Sequence, residues 1–196
     1  MKRKEKFKKL LFVALLFLLP LISMSSKTVN INQPVTMEYV SKNSPHKVKI
    51  EKELKAEVKN YIIKFFPNCP DEIPENIVEA GLFEDIDICF MMAQAQIETC
   101  FGKNGKGRAS SRHSLFGVEF KYYANYKEAV YEYVKLLKRS YLVNGKTEHS
   151  LMRRYVNKSG NRYAANPRYE AELTAAYKTI VSKTAISQLQ QQYRRL

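Results

Sequence analysis

Tryptophan is absent from the chain, and aspartate occurs only at Asp71, Asp85 and Asp87, so almost every carboxylate is a glutamate. The three cysteines, Cys69, Cys89 and Cys100, are an odd number, which excludes a complete disulfide framework and leaves room for one bridge at most. No CxxC pair exists to hold zinc, and the three histidines, His46, His113 and His149, are too scattered for metal ligation. Neither a metal nor another cofactor is therefore expected. Seven glycines and seven prolines in 196 residues are too few for a collagen-like rod. An apolar share of 45% with 27% charged residues argues against disorder throughout and against a coiled coil. What the chain does have is 13 Tyr and 10 Phe, enough to close a core and to leave some phenolic hydroxyls facing a cleft or solvent.

Acidic charge is also in short supply: 33 Lys and Arg stand against 19 acids, a net charge of +14. Such a surplus suits anionic partners, whether nucleic acid, lipid headgroups or cell-wall polymers, and equally suits simple solubility. The first 25 residues bear on that choice. Residues 1–9, MKRKEKFKK, are basic; residues 10–22, LLFVALLFLLPLI, carry no charge; Ser23, Met24, Ser25 and Ser26 follow. This is the pattern of a secretory signal peptide at residues 1–25. At about 1.5 Å per residue the apolar run covers only about 20 Å, short of the ~30 Å hydrocarbon layer. Cleavage after Ser25 places serine at both the −1 and −3 positions, while Leu21 and Ile22 crowd that site and keep an uncleaved anchor as the alternative. The remaining chain keeps 27 basic against 18 acidic residues. A secreted or periplasmic, cell-envelope location is expected, with no nucleic-acid partner and membrane contact only through an uncleaved leader.

Residues 26–46 are polar, contain Pro34 and Pro45, and read as a linker. Leu54, Val58, Tyr61, Ile62 and Phe65 then recur at helical spacing, ending before Pro67. Residues 74–80 fit a short helix with Pro74 at its start and Gly81 as its stop. Residues 85–99 are the most apolar internal segment, capped by Asp85 or Asp87, with Ile88, Met91, Met92 and Ala95 as the expected buried face. A basic, Gly-rich loop follows at 102–112. Residues 114–123 carry short alternating or aromatic runs that read as strand. Further helices are expected at 128–141, from a Thr147 cap to 155, and from Asn166 and Pro167 onward, with a frayed helical extension after Thr184. The expected fold class is α+β: mostly helical, with a small, shortened β lobe.

Glu98 continues the face of Met91 and Ala95 and falls in the last turn of its helix. Partial burial and the negative end of the helix dipole both favour the protonated carboxyl, as a general acid requires. The alternative is an exposed Glu paired with Lys103 or Lys106 at a fraying helix end. The run GKNGKG at 102–107 lacks the Lys-Ser/Thr of a phosphate loop and has no strand before it, so that reading fails. The aromatics at 120–126 either pack in the core or line a groove on which sugar rings stack.

Four segments, in order, resemble the bacterial N-acetylglucosaminidase family of peptidoglycan hydrolases, the mannosyl-glycoprotein endo-β-N-acetylglucosaminidase-like domain of flagellar hydrolases and autolysins. AQAQIETCFGK (93–103) is similar to the family's AQAALESGWGKS, and SLFGV (114–118) to its NLFGI. YKEAVYEYVKLL (126–137) resembles the helix after its small sheet, and YAANPRY (163–169) its YATDPNY. Cys100 and Phe101 stand where the family has Gly-Trp, and Ser114 where it has Asn.

The resemblance implies a lysozyme-like catalytic domain at 47–183, followed by a polar C-terminal tail at 184–196. It also implies hydrolysis of the β-1,4 bond between N-acetylglucosamine and N-acetylmuramic acid in peptidoglycan glycan strands, by a monomer. Glu98 matches the catalytic acid and Tyr163 an active-site tyrosine, while Ser114, Phe116, Gly117, Tyr122, Tyr123 and Asn166 are the expected substrate-binding residues. Among the acids between Glu98 and Tyr163, Glu119 alone lies beside the LFG element. It is either a second carboxylate or a surface strand residue; in the latter case the substrate's own acetamido group serves as nucleophile. A lytic transglycosylase and a non-catalytic wall-binding module are the competing readings.

Overall fold

The most apolar internal segment becomes the helix around which the others are arranged. The computed structural model describes residues 44–104, 113–117, 122–153, 163–164 and 166–196. In it the helices run in the order α1 (Pro45–Ile62), α2 (Glu72–Phe83), α3 (Ile88–Thr99) and α4 (Tyr126–Leu136), a π-helical turn (Leu137–Tyr141), then α5 (Glu148–Leu151), α6 (Tyr169–Lys183) and α7 (Ile186–Arg195). α3 packs against α2, α6 and α7; α1 packs against α2 and α7; α2 also packs against α4. Residues 88–95 are buried without exception, not only the expected stripe. A helix covered on all sides needs no polar face, so its sequence periodicity is weak. No helix among the described residues is long and apolar enough to cross a membrane. The expected leader at 1–25 and nearly all of the expected linker lie outside the described residues.

Several boundaries differ from the sequence expectation for identifiable reasons. Pro45 belongs to α1, not the linker: Ser44 caps the helix, its hydroxyl accepting from Lys47 N at 3.4 Å. α2 runs on through Gly81. That glycine is a point of close approach, because a Cβ there would lie 2.5 Å from Ile88 Cγ1. Of the two candidate caps for α3 it is Asp87 that serves, its Oδ1 accepting from Phe90 N at 3.2 Å. Asp85 instead adopts a positive φ of 54° and pairs with Arg194 at 2.7 Å. The three cysteines are unbridged. Burial pushes the Cys69 thiol up to about 12 and raises Cys89 as well. Among the described residues no segment is strand. Residues 114–117 and 122–125 are irregular, and 118–121 lie outside the described residues, so the described part of the domain is helical.

The segment expected to fray after Thr184 is an ordered helix. α7 buries Ile186, Gln190 and Tyr193. Gln190 bridges the entry to α3: its Oε1 accepts from Ile88 N at 3.0 Å and its Nε2 donates to Ile86 O at 2.7 Å. The first N–H groups of a helix have no intrahelical acceptor, so α7 supplies one of the caps of the central helix. Gln190→Leu leaves a buried donor and a buried acceptor unpaired, each costing about 1–3 kcal/mol. A loss of about 2–4 kcal/mol is expected in urea unfolding, with an unchanged denaturant slope.

Candidate active site

α3 ends in a run of left-handed residues that turns the chain back over its last turn. Cys100, Phe101 and Gly102 have φ of 50°, 58° and 88°. Phe101 N donates to Ala95 O at 3.0 Å, and Cys100 N reaches Ala95 O and Gln96 O, so the last carbonyls of the helix are satisfied by the turn itself. The Phe101 ring is fully buried, edge-on to Tyr61 and near Phe65. The Thr99 hydroxyl donates to Leu115 O at 2.7 Å and accepts from Gly102 N at 2.8 Å, holding the 115–117 segment beside the helix end. A non-glycine residue at left-handed φ costs about 1–2 kcal/mol, and glycine recovers most of it while adding disorder to the unfolded chain. Cys100→Gly, which restores the glycine of the resembled motif, is accordingly expected to stabilise the fold by about 0.5–1 kcal/mol in thermal or urea unfolding.

This turn leaves Glu98 at the wall of a cavity of about 240 Å³. Gly117 faces the carboxyl group so closely that a Cβ on it would stand 3.0 Å from Glu98 Cδ. Phe116 and Tyr133, stacked at 3.8 Å between centroids and 9° between planes, form one side of the cavity, with Leu136 and Leu137 beside them. Tyr141, Tyr163 and Tyr169 form another: Tyr163 meets Tyr141 edge-on at 4.9 Å and Tyr169 at 6.0 Å. Among the described residues Glu98 is the only carboxylate that lines the cavity. Burial holds its carboxyl above the ordinary range, and a hydrogen bond from the Tyr169 hydroxyl offsets part of the rise. Lys103 does not pair with it; its ammonium donates to Phe65 O at 3.1 Å. Lys106 lies outside the described residues.

Gln94 stands one helical turn before Glu98 on the same face and is buried. Its Oε1 accepts from Tyr133 Oη at 2.6 Å and from Tyr163 Oη. Burial pushes the Tyr133, Tyr163 and Tyr169 phenols well up, so all three keep their protons. The π-helical turn contributes Tyr141. Leu142 N reaches back five residues to Leu137 O at 2.8 Å, a wider turn that brings both Leu137 and Tyr141 to the cavity.

The cavity thus gathers Glu98, Tyr163, Phe116 and Gly117 from the expected set. Ser114 and Tyr123 are buried and do not line it; the Tyr123 carbonyl is held by His113 Nδ1 at 2.8 Å. Tyr122 is 69% exposed and Asn166 is also exposed, and neither lines the cavity. Asn166 organises the start of α6, its Oδ1 accepting from Arg168 N at 3.0 Å. Glu119 lies outside the described residues. The other carboxylates between Glu98 and Tyr163 have structural work: Glu128 accepts from Ala124 N at 2.6 Å, Glu132 pairs with Lys135 at 2.9 Å, and Glu148 accepts from Asp87 N at 3.0 Å. Gln94, Tyr133, Tyr141 and Tyr169 were not among the expected site residues. The three tyrosines sit at helical spacings that read as core. Gln94 carried one usable signal, its place four residues before Glu98.

No curated protein and no solved structure matches the chain. The glucosaminidase family model, described as mannosyl-glycoprotein endo-beta-N-acetylglucosaminidase, matches residues 75–181. That stretch runs from within α2 to within α6 and includes every residue lining the cavity. With the match covering more than half of its length, the chain belongs to the glucosaminidase family, a membership that supports a peptidoglycan glucosaminidase-type hydrolase.

Proposed function

We propose that the protein is an exported glycoside hydrolase that cleaves the β-1,4 bond between N-acetylglucosamine and N-acetylmuramic acid in peptidoglycan, with Glu98 as general acid. The observation that carries this reading is the setting of Glu98: a half-buried carboxyl at a helix C-terminus, held toward its protonated form, at the wall of an aromatic cavity. Departure of a sugar oxygen needs a proton, and the burial that raises the Glu98 pKa keeps that proton on the carboxyl to higher pH than an exposed glutamate would hold it. A two-carboxylate mechanism places the second group about 5–9.5 Å away. The cavity wall offers none among the described residues. The reading takes the substrate's acetamido oxygen as the group that attacks the anomeric carbon while Glu98 protonates the leaving oxygen, with Tyr163 beside the acetamido group. Water, deprotonated by the Glu98 carboxylate so formed, then opens the oxazoline to the reducing sugar. Glu119, outside the described residues, is the alternative second carboxylate. The surplus of basic charge suits wall polymers that carry carboxylates and phosphates.

The test is digestion of purified sacculi followed by mass spectrometry of the soluble muropeptides. A new reducing-end N-acetylglucosamine is the expected product. An anhydro-muramic end instead would identify a lytic transglycosylase, and protein that pellets with sacculi without releasing fragments would identify a binding module.

A further inference from the structure

We infer that Gln94 is a positioning residue that sets the polarity of Tyr163, committing the phenolic proton to its own side chain so that the Tyr163 oxygen meets the substrate as a hydrogen-bond acceptor. The inference rests on the reading of the cavity as a glycan site and adds the residue that orients it. A carbonyl oxygen has two lone pairs, and both of those on Gln94 Oε1 are taken, one by Tyr133 and one by Tyr163. Each phenol has a single proton. With that of Tyr163 spent on Gln94 and the Tyr133 hydroxyl also against its oxygen, the group can offer the cavity only a remaining lone pair.

The surroundings keep this arrangement in place. Gln94 is buried on the central helix, Tyr133 is locked in a stack with Phe116, and Tyr163 is wedged edge-on between Tyr141 and Tyr169. The packed rings fix the two phenolic oxygens against Gln94; the Tyr163 O–H still turns about its C–O bond, and the Gln94 carbonyl is the acceptor that holds it. An acceptor at this point of the wall suits the N–H of a 2-acetamido sugar. Holding that N–H pushes electron density toward the acetamido oxygen, the atom that attacks in the proposed reaction. If Tyr163 were free to turn its O–H inward it would compete with the N–H as a donor. Gln94 removes that state.

The test is a double-mutant cycle between Gln94→Met and Tyr163→Phe, read on two quantities: kcat on purified peptidoglycan, and the Kd of the N-acetylglucosamine trisaccharide by calorimetry. Gln94→Met matches the side chain in length and removes the acceptor. Each single variant is expected to lose at least tenfold in kcat and about three- to tenfold in trisaccharide affinity, with the double variant no worse than the weaker single one. Gln94→Glu, which keeps an acceptor for both hydroxyls, is expected to recover most of the affinity. Losses that multiply in the double variant, or unchanged affinity and kcat in Gln94→Met, would overturn the inference. Gln94→Met strands the buried Tyr133 hydroxyl and lowers the melting temperature on either reading; a purely structural Gln94 is marked by losses that multiply in the double variant. Failure of the functional reading looks different: the parent chain would release no reducing-end N-acetylglucosamine, while the binding cycle would still report whether Gln94 acts through Tyr163.

Discussion

Glu98→Gln is expected to fold, to bind sacculi as the parent does, and to lose about 10²–10⁴-fold in muropeptide release. Glutamine has the size of glutamate, so it fills the same space against Gly117 and can still accept the Tyr169 hydroxyl through its carbonyl oxygen. It has no proton to deliver to a departing oxygen. Activity within threefold of the parent would remove Glu98 from the chemistry. Loss of sacculus binding together with activity would show that the substitution had disturbed the cavity rather than the acid.

The same carboxyl links activity and stability to pH, with opposite consequences for parent and variant. Burial raises the Glu98 pKa in the folded chain above that of the unfolded chain. Below the unfolded value the group is protonated in both states and contributes nothing. As pH rises through the window between the two values the folded state must release a proton it holds more tightly, and stability falls until the folded value is passed. The parent therefore loses activity on the alkaline side as the general acid ionises, and loses some stability in the same window. Glu98→Gln cannot ionise. Its melting temperature should equal that of the parent in acid and exceed it at neutral pH, and an unchanged difference across that range would show Glu98 to be solvated.

How much of this was legible in the sequence depends on whether a residue's role is local or comes from the packing of distant segments. The helix stripe of Leu54, Val58 and Tyr61 and the end of α3 after Glu98 are local, and the chain declares them directly; the choice of Asp87 over Asp85 as the α3 cap is not, because Asp85 is drawn to Arg194 on α7. Glu98 was legible because its burial follows from its position on a helix face. Gly81 was misread as a stop because the reason for it lies on α3, at Ile88. The ordered α7 was missed because its Gln-rich sequence looks solvent-loving; its stability comes from Gln190 reaching two backbone groups about 100 positions away in the chain. Tyr133 and Tyr169 read as core because they are core. A phenol can bury its ring and still turn its hydroxyl to a cavity, and no spacing rule separates such a tyrosine from one that does not.

Gly117→Ala is expected to be the most damaging small substitution in the molecule, and it tests the geometry of the site without touching any group that carries chemistry. Gly117 has φ of +63°, which an alanine adopts only at a cost of about 1–2 kcal/mol. Strain alone would be tolerable. The new methyl also falls against the Glu98 carboxyl, within 3.0 Å of its Cδ and 3.4 Å of its Cγ, so one of the two must move. The 115–117 segment is tied to α3 through the Thr99 hydroxyl, and Phe116 is held in its stack with Tyr133, so the loop has little room to retreat. The carboxyl moves instead, out of line with the bond it is to protonate, and a misplacement of about 1 Å is worth about 10²-fold in rate. Gly117→Ala should therefore lose about 10²-fold in kcat on peptidoglycan and about 1–3 kcal/mol of stability, measured by muropeptide release and urea unfolding. Cys100→Gly, which relieves strain two residues from the same carboxyl, supplies the contrast: more stable and fully active. Parental kcat in Gly117→Ala would mean that the acid does not depend on this contact.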